Sequence, residues 1–108
     1  MDLDEAIAQI GEVPAAYVLL CQNGKLYKGA CRYLAERLRD HRAGRVLRTK
    51  GQRPLKLVYY EVCQDYTVAL QREKFFKSGV GRGLLKQQLL APNIDLLPGW
   101  RNWQTQQT

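Results

Sequence analysis

The sequence predicts an α+β domain: a small, mostly antiparallel β-sheet of three strands with helices packed on its faces. Two observations carry this reading. The apolar run A-A-Y-V-L-L-C at 15–21 and the shorter 25–29 flank an Asn23-Gly24 pair, and a third strand-like run, L-K-L-V-Y-Y-E-V, follows Pro54. The intervening and following segments instead place apolar residues at helical spacing. The order strand, strand, helix, strand, helix, helix is that of a sheet layered with helices. At 108 residues and 45% apolar content the chain makes one ordinary domain.

Residues 2–12 read as a short amphipathic helix with Leu3, Ile7 and Ile10 on one side, ended by Gly11 and Pro14. Residues 1–14 are thus expected as a loosely attached N-terminal arm. Residues 15–21 are too short for a helix and rich in strand formers. Asn23 and Gly24 both tolerate positive φ and predict a two-residue hairpin turn into a return strand that ends at Gly29. Residues 31–43 are expected to be helical, with Leu34 and Leu38 on the core face and Gly44 as C-cap. Residues 45–53 read as a basic loop, and Pro54 opens the third strand. Asp65 is an N-cap for a helix running to Lys77, broken at 78–81 and followed by a short helix at 82–90. The main domain is thereby placed at 15–91. Residues 92–108, with Pro92 and Pro98, read as an irregular tail.

The formal net charge is +7. Residues 30–60 carry nine Lys and Arg against two acidic residues, Glu36 and Asp40. Such concentrated positive charge attracts phosphate backbones. No apolar run approaches the ~20 residues that span a bilayer, and no helix joins this charge to a fully apolar face. A nucleic acid rather than a membrane is therefore the expected partner. The acidic start, M-D-L-D-E, is the wrong charge for a signal peptide, and the three cysteines form no C-x-x-C pair. Both point to a cytoplasmic protein with reduced thiols.

Two helices direct polar groups at their apolar sides. His41 falls within the arc of Leu34, Arg37 and Leu38, and Glu73 within the arc of Tyr66, Ala69, Leu70, Phe76 and Lys77. A carboxylate so placed must be paired or hold a metal, or it costs roughly several kcal/mol of desolvation. One alternative is structural: Glu73 paired with Arg37 or Arg72, and His41 as a hydrogen-bonded core histidine. The other is a site. The chain has no paired carboxylates, no Ser-His-Asp set, no phosphate-cradling G-x-x-x-x-G-K and no zinc spacing. A single Glu holding one Mg²⁺ completed by water suits phosphate chemistry. Arginine can clamp phosphate and a tyrosine can take a proton from water.

These residues resemble a known family. Tyr17 follows Ala15-Ala16, and Tyr27-Lys28-Gly29 lies ten residues on. Arg37 is ten residues after Tyr27 and His41 four beyond it, and Glu73 stands in A-L-Q-R-E-K-F-F-K. In this order and spacing they are similar to the signatures of the GIY-YIG endonuclease superfamily, especially its small stand-alone bacterial members. The likeness covers roughly residues 15–85. The sequence departs from that pattern at Ala15-Ala16 in place of Gly-Ile, at K-G-A-C in place of T-G-I-T, and at Tyr33 in place of an acidic residue.

The resemblance implies a metal-dependent endonuclease that hydrolyses phosphodiester bonds in DNA, repair-related or structure-selective. It implies Glu73 as the ligand of Mg²⁺ or Mn²⁺, Tyr17 or Tyr27 as the base that deprotonates water, and Arg37 as the stabiliser of charge on phosphorus. His41 orients the arginine or shares in proton transfer. Lys28, Arg45, Arg48, Lys50 and Arg53 are the expected contacts to flanking phosphates. Nothing in the sequence separates DNA from RNA. A monomer is expected, and the alternative function is a non-catalytic nucleic-acid-binding module on the same fold.

Overall fold

The computed structural model describes residues 1–89. Its elements in order are α1 (Leu3–Gln9), β1 (Ala15–Leu20), β2 (Leu26–Cys31), α2 (Leu34–Ala43), α3 (Leu47–Lys50), β3 (Lys56–Val62), α4 (Tyr66–Lys77) and α5 (Gly79–Leu89). The α+β architecture is the expected one. The sheet order is β2-β1-β3, and both pairings are antiparallel. The expected tail at 92–108 lies outside the described residues, as does the end of the main domain near residue 91.

Successive side chains of β1 point to opposite faces, and each face is covered by helices. Ala15, Tyr17 and Leu19 join Leu3, Ala6, Leu34 and Leu38 of α1 and α2 in one core. Ala16 and Val18 join Val58, Tyr59, Phe76 and Leu85 of β3, α4 and α5 in the other. The register between β1 and β3 slips by one residue beside Val18 and Leu19. That bulge reverses the alternation of β3, so Tyr59 faces α4 and Tyr60 faces the opposite core.

Several expectations are corrected. The N-terminal segment is firmly attached: Leu3 and Ala6 are buried, and Glu12 accepts hydrogen bonds from Glu36 N (2.8 Å) and Arg39 (2.7 Å) at the start of α2. That exchange supplies the cap that Tyr33, at the N-cap position, does not make. The hairpin is not a two-residue Asn-Gly turn. Gly24 N donates to Cys21 O at 2.9 Å, which puts Gln22 and Asn23 at the turn centre, and of these residues Gly24 alone takes positive φ, +85°. Asn23 instead accepts from Lys25 N at 3.0 Å. β2 runs past Gly29 to Cys31 because the ladder with β1 continues to Ala15, so α2 starts three residues later than expected, at Leu34. The basic loop contains the single turn α3. Gly44 (φ +79°) and Asp65, which accepts from Val68 N at 2.9 Å, cap as expected.

The break between α4 and α5 is one residue, Ser78, rather than four. Its hydroxyl donates to Phe75 O at 2.6 Å and accepts from Gly81 N at 3.2 Å, closing one helix and opening the next. This tight joint needs glycine at 81, where a Cβ would overlap the Phe75 carbonyl, whereas one at Gly83 would meet nothing within 4 Å. Gly83→Ala should therefore stabilise the fold by up to about 1 kcal/mol through helix propensity. Gly81→Ala should destabilise it by about 1–3 kcal/mol through overpacking. Urea unfolding of the two variants checks the sign at each position; equal effects would contradict the joint described.

Candidate active site

Tyr17 on the central strand stands opposite Gly29 on β2. Its ring lies across that glycine: a Cβ at Gly29 would come within 2.5 Å of both Tyr17 Cζ and the hydroxyl oxygen. Glycine here lets a buried tyrosine reach over the neighbouring strand. The hydroxyl ends 2.8 Å from His41 Nε2, and His41 Nδ1 lies 2.8 Å from Thr49 Oγ1. The Thr49 hydroxyl donates to Val46 O at 3.4 Å. Its oxygen is left to accept from His41 Nδ1–H, so Nε2 carries the lone pair and Tyr17 donates to it. Tyr17, His41 and Thr49 are all fully buried.

Burial fixes the protonation of this relay. It raises the Tyr17 phenol well above the usual range, against the opposing pull of Arg37. It pushes His41 down to about 4, with the Arg37 charge adding to the effect. His41 is thus neutral at pH 7 and Tyr17 keeps its proton. Arg37 is itself disfavoured by burial, but the Tyr17 and Tyr27 hydroxyls outweigh that and hold it protonated. Tyr27 completes the group, its ring centroid 5.2 Å from that of His41 and 6.4 Å from that of Tyr17. Unlike Tyr17 it is only half-buried and lines a cavity.

The structure thus brings four of the five expected site residues together. Glu73 lies on α4, against the other face of the sheet. Its carboxylate pairs with Lys77 at 3.2 Å rather than with Arg37 or Arg72. Arg72 pairs with Glu61 at 2.7 Å, and Tyr59 also donates to Glu61 at 2.6 Å. This buried charge on β3 escapes sequence reading because the bulge changes which face residue 61 takes.

The two faces communicate over β2, the edge strand. One cavity is lined by Arg37, Ala30, Arg32 and Tyr33 and, from α4, Tyr66. A second is lined by Tyr27 and Lys28 and, from α4, Lys77. At ~100° per residue, Tyr66, Glu73 and Lys77 fall within about 40° of one another on α4. Glu73 lies between the residues that reach the two cavities, on the same stripe. Its side chain is 19% exposed. Among the described residues no group of three or more His, Cys, Asp and Glu converges. A hard cation that keeps most of its water and takes one carboxylate fits such a donor set.

The five expected phosphate contacts divide. Lys28 and Arg48 reach the cavity beside Tyr27. Arg45 pairs with Asp40 at 2.8 Å. Arg53 donates to Lys50 O (3.0 Å) and Arg42 O (3.1 Å) and lies against Gly44, and with Lys50 it faces a cavity shared with α1. The reason is Thr49: with residue 49 turned inward to His41, Arg48 and Lys50 leave the α3 turn in opposite directions. Ala15 and Ala16, where the sequence departs from the family signature, are fully buried core residues.

A family model described as the GIY-YIG catalytic domain matches residues 14–85. The UPF0213 protein of Lactiplantibacillus plantarum is 42% identical over 64 residues, 56% of this chain and 63% of that protein. A UPF0213 protein of Haloquadratum walsbyi is 33% identical over 81 residues, 74% of this chain and 89% of that protein. The alignments with the L. plantarum relative and with one from Bacillus pumilus span 63% and 64% of those proteins. A solution NMR structure of the UPF0213 protein of Bacillus halodurans aligns with a TM-score of 0.45 at 24% identity, covering 73% of this chain and 87% of that one. Among the described residues no helix is long and apolar enough to cross a membrane.

The buried relay predicts a pH dependence of stability. The unfolded chain protonates histidine near 6.5, the folded chain only near 4. The contribution of His41 is therefore complete above pH 6.5 and is lost as pH falls towards 4, by up to about 3 kcal/mol. Urea titrations across this window should show a loss of that order, and His41→Gln should flatten it. Equal pH profiles for the two proteins would contradict a neutral buried imidazole.

Proposed function

Because the chain belongs to the GIY-YIG catalytic-domain family, a family of the nuclease type, we propose that it is a metal-dependent endonuclease hydrolysing phosphodiester bonds in DNA, with a repair-related or structure-selective role. The observation that carries this reading is the cluster of Arg37, Tyr17, Tyr27 and His41 at the basic edge of β2. A guanidinium beside two phenols, with Arg37 lining one cavity at the edge strand and Tyr27 the other, suits phosphate better than a solely structural role.

In this reading Arg37 binds the scissile phosphate and stabilises the charge that grows on its oxygens. Tyr27, half-buried beside the guanidinium, is the base for the proton that leaves the attacking water. Tyr17 is not that base, because it is fully buried and its hydroxyl is spent as a hydrogen-bond donor to His41. Tyr17 and His41 are positioning residues: they fix the wall against which Arg37 and Tyr27 rest. Glu73 would hold Mg²⁺ or Mn²⁺, which when bound supplies a Lewis acid for a phosphate oxygen. The cell compartment follows the sequence expectation, the cytoplasm.

Nicking of supercoiled DNA, branched DNA and a matched RNA, with Mg²⁺, Mn²⁺ or chelator, tests the proposal. Cleavage should need the metal and should fall at least ~100-fold in Arg37→Ala. Tyr27→Phe should fall ~100-fold or more, the scale of general-base catalysis, and further than Tyr17→Phe. Binding without cleavage under every condition would sink the enzyme in favour of a binding module.

A further inference from the structure

We propose that Lys28, Arg48, Lys77 and Arg82 form a subsite for a phosphate group of the nucleic acid other than the one cut, on the Tyr27 side of the edge strand. The inference deepens the nuclease reading and rests on it. These four side chains, with Leu26 and Tyr27, line a cavity of about 430 Å³. They come from β2, α3, α4 and α5, so the fold gathers them; no basic run in the sequence does.

What marks the cluster is its missing counter-charge. Elsewhere five of the seven described arginines are matched by a carboxylate: Arg37 by Asp40 (3.9 Å), Arg39 by Glu12 (2.7 Å), Arg42 by Asp4 (2.6 Å), Arg45 by Asp40 (2.8 Å) and Arg72 by Glu61 (2.7 Å). Among the described residues no acidic side chain lines this cavity. Of its four cations only Lys77 has a carboxylate in ion-pair contact among the described residues, Glu73 at 3.2 Å. Lys28 accordingly sits below the usual lysine range, through burial first and then the charges of Arg82 and Lys77. Like charges held around an open space are relieved by an anion.

The chemistry selects phosphate. Two guanidiniums can each offer a planar pair of donors and the two ammoniums add point charges, a set suited to the several oxygens of a phosphate. The place selects a nucleic-acid strand. Tyr27 belongs both to this cavity and to the Arg37 cluster, and Lys77 joins the cavity to Glu73. A strand whose scissile phosphate rests on Arg37 can lay a neighbouring one here. Either an internal diester or a terminal monoester offers the required oxygens.

The test is oligonucleotide binding by fluorescence anisotropy, in chelator, with the full chain. One sequence is used with a 5′-phosphate, with a 3′-phosphate and with neither. Wild type is compared with Lys28→Gln/Arg82→Gln, with each single variant, and with Lys56→Gln as the basic control outside the cavity. Circular dichroism melting confirms that each is folded. The double variant should bind about tenfold more weakly at low salt, and its slope of log affinity against log salt should shrink by ~0.7–0.9 for each cation removed. The control should change neither. An added affinity for one phosphate-ended oligonucleotide, lost in the double variant, upholds the subsite as one for a terminal monoester. Equal binding of all three with the reduced slope upholds it for an internal diester. Unchanged affinity and slope in the folded variants overturn the subsite and leave the nuclease reading intact. Failure of wild type to bind any oligonucleotide overturns both.

Discussion

The site depends on one contact: the Tyr17 ring lying across Gly29 to reach His41. The contact needs a central strand that carries a tyrosine and an edge strand with no side chain opposite it. It needs a helix that brings histidine over the same face, and a turn that offers Thr49 behind the imidazole. Each requirement fixes one element of the fold. β1 must lie in the middle of the sheet, α2 must pack on the Tyr17 face, and α3 must follow closely enough to close the relay. A side chain at position 29 would lift the phenol out of its hydrogen bond. The result is a rigid, neutral, buried wall, and Arg37 and Tyr27 rest on it at the boundary with solvent.

The edge of β2 gives this wall its use. A strand with a neighbour on each side would keep α2 and α4 apart, but a strand at the edge lets residues from both faces meet around it. Arg37 and Tyr66 meet at one end, Tyr27 and Lys77 at the other. An open strand edge is a hazard for aggregation that proteins often blunt with lysine and other charges. Here Lys28 stands on that edge, with Lys77 and Arg82 beside it. Asp4, Glu12 and Asp40 of the N-terminal half each pair with an arginine, and none of them lines the cavity beside Tyr27.

Much of this was legible in the sequence because it depends on local rules. Strand composition located β1, β2 and β3, Asp65 and Gly44 announced their helix ends, and the spacing of Tyr17, Tyr27, Arg37 and His41 carried the family likeness. What escaped was set by contacts far apart in the chain. The bulge beside Val18 and Leu19 changes which residues of β3 face α4, and with it the partner of Arg72. Thr49 looked like one residue in a basic loop, yet it anchors His41 and sends Arg48 and Lys50 to different surfaces. Arg53 looked like a phosphate contact, but its guanidinium serves backbone carbonyls at the end of α2 and in α3. Glu73 was singled out as a carboxylate on an apolar face. The structure leaves it 19% exposed and pairs it with Lys77, on the α4 stripe that also carries Tyr66.

The central claim is that groups from opposite faces of the sheet act on one phosphate. Cleavage rates for Arg37→Ala, Glu73→Ala and the double variant test this most directly. If both residues serve the same transition state, each single change removes most of the activity, and the pair together costs little more than the worse of the two. A double variant whose loss is the full product of the single losses, or a Glu73→Ala protein that cleaves as fast as wild type, would contradict a site assembled across β2.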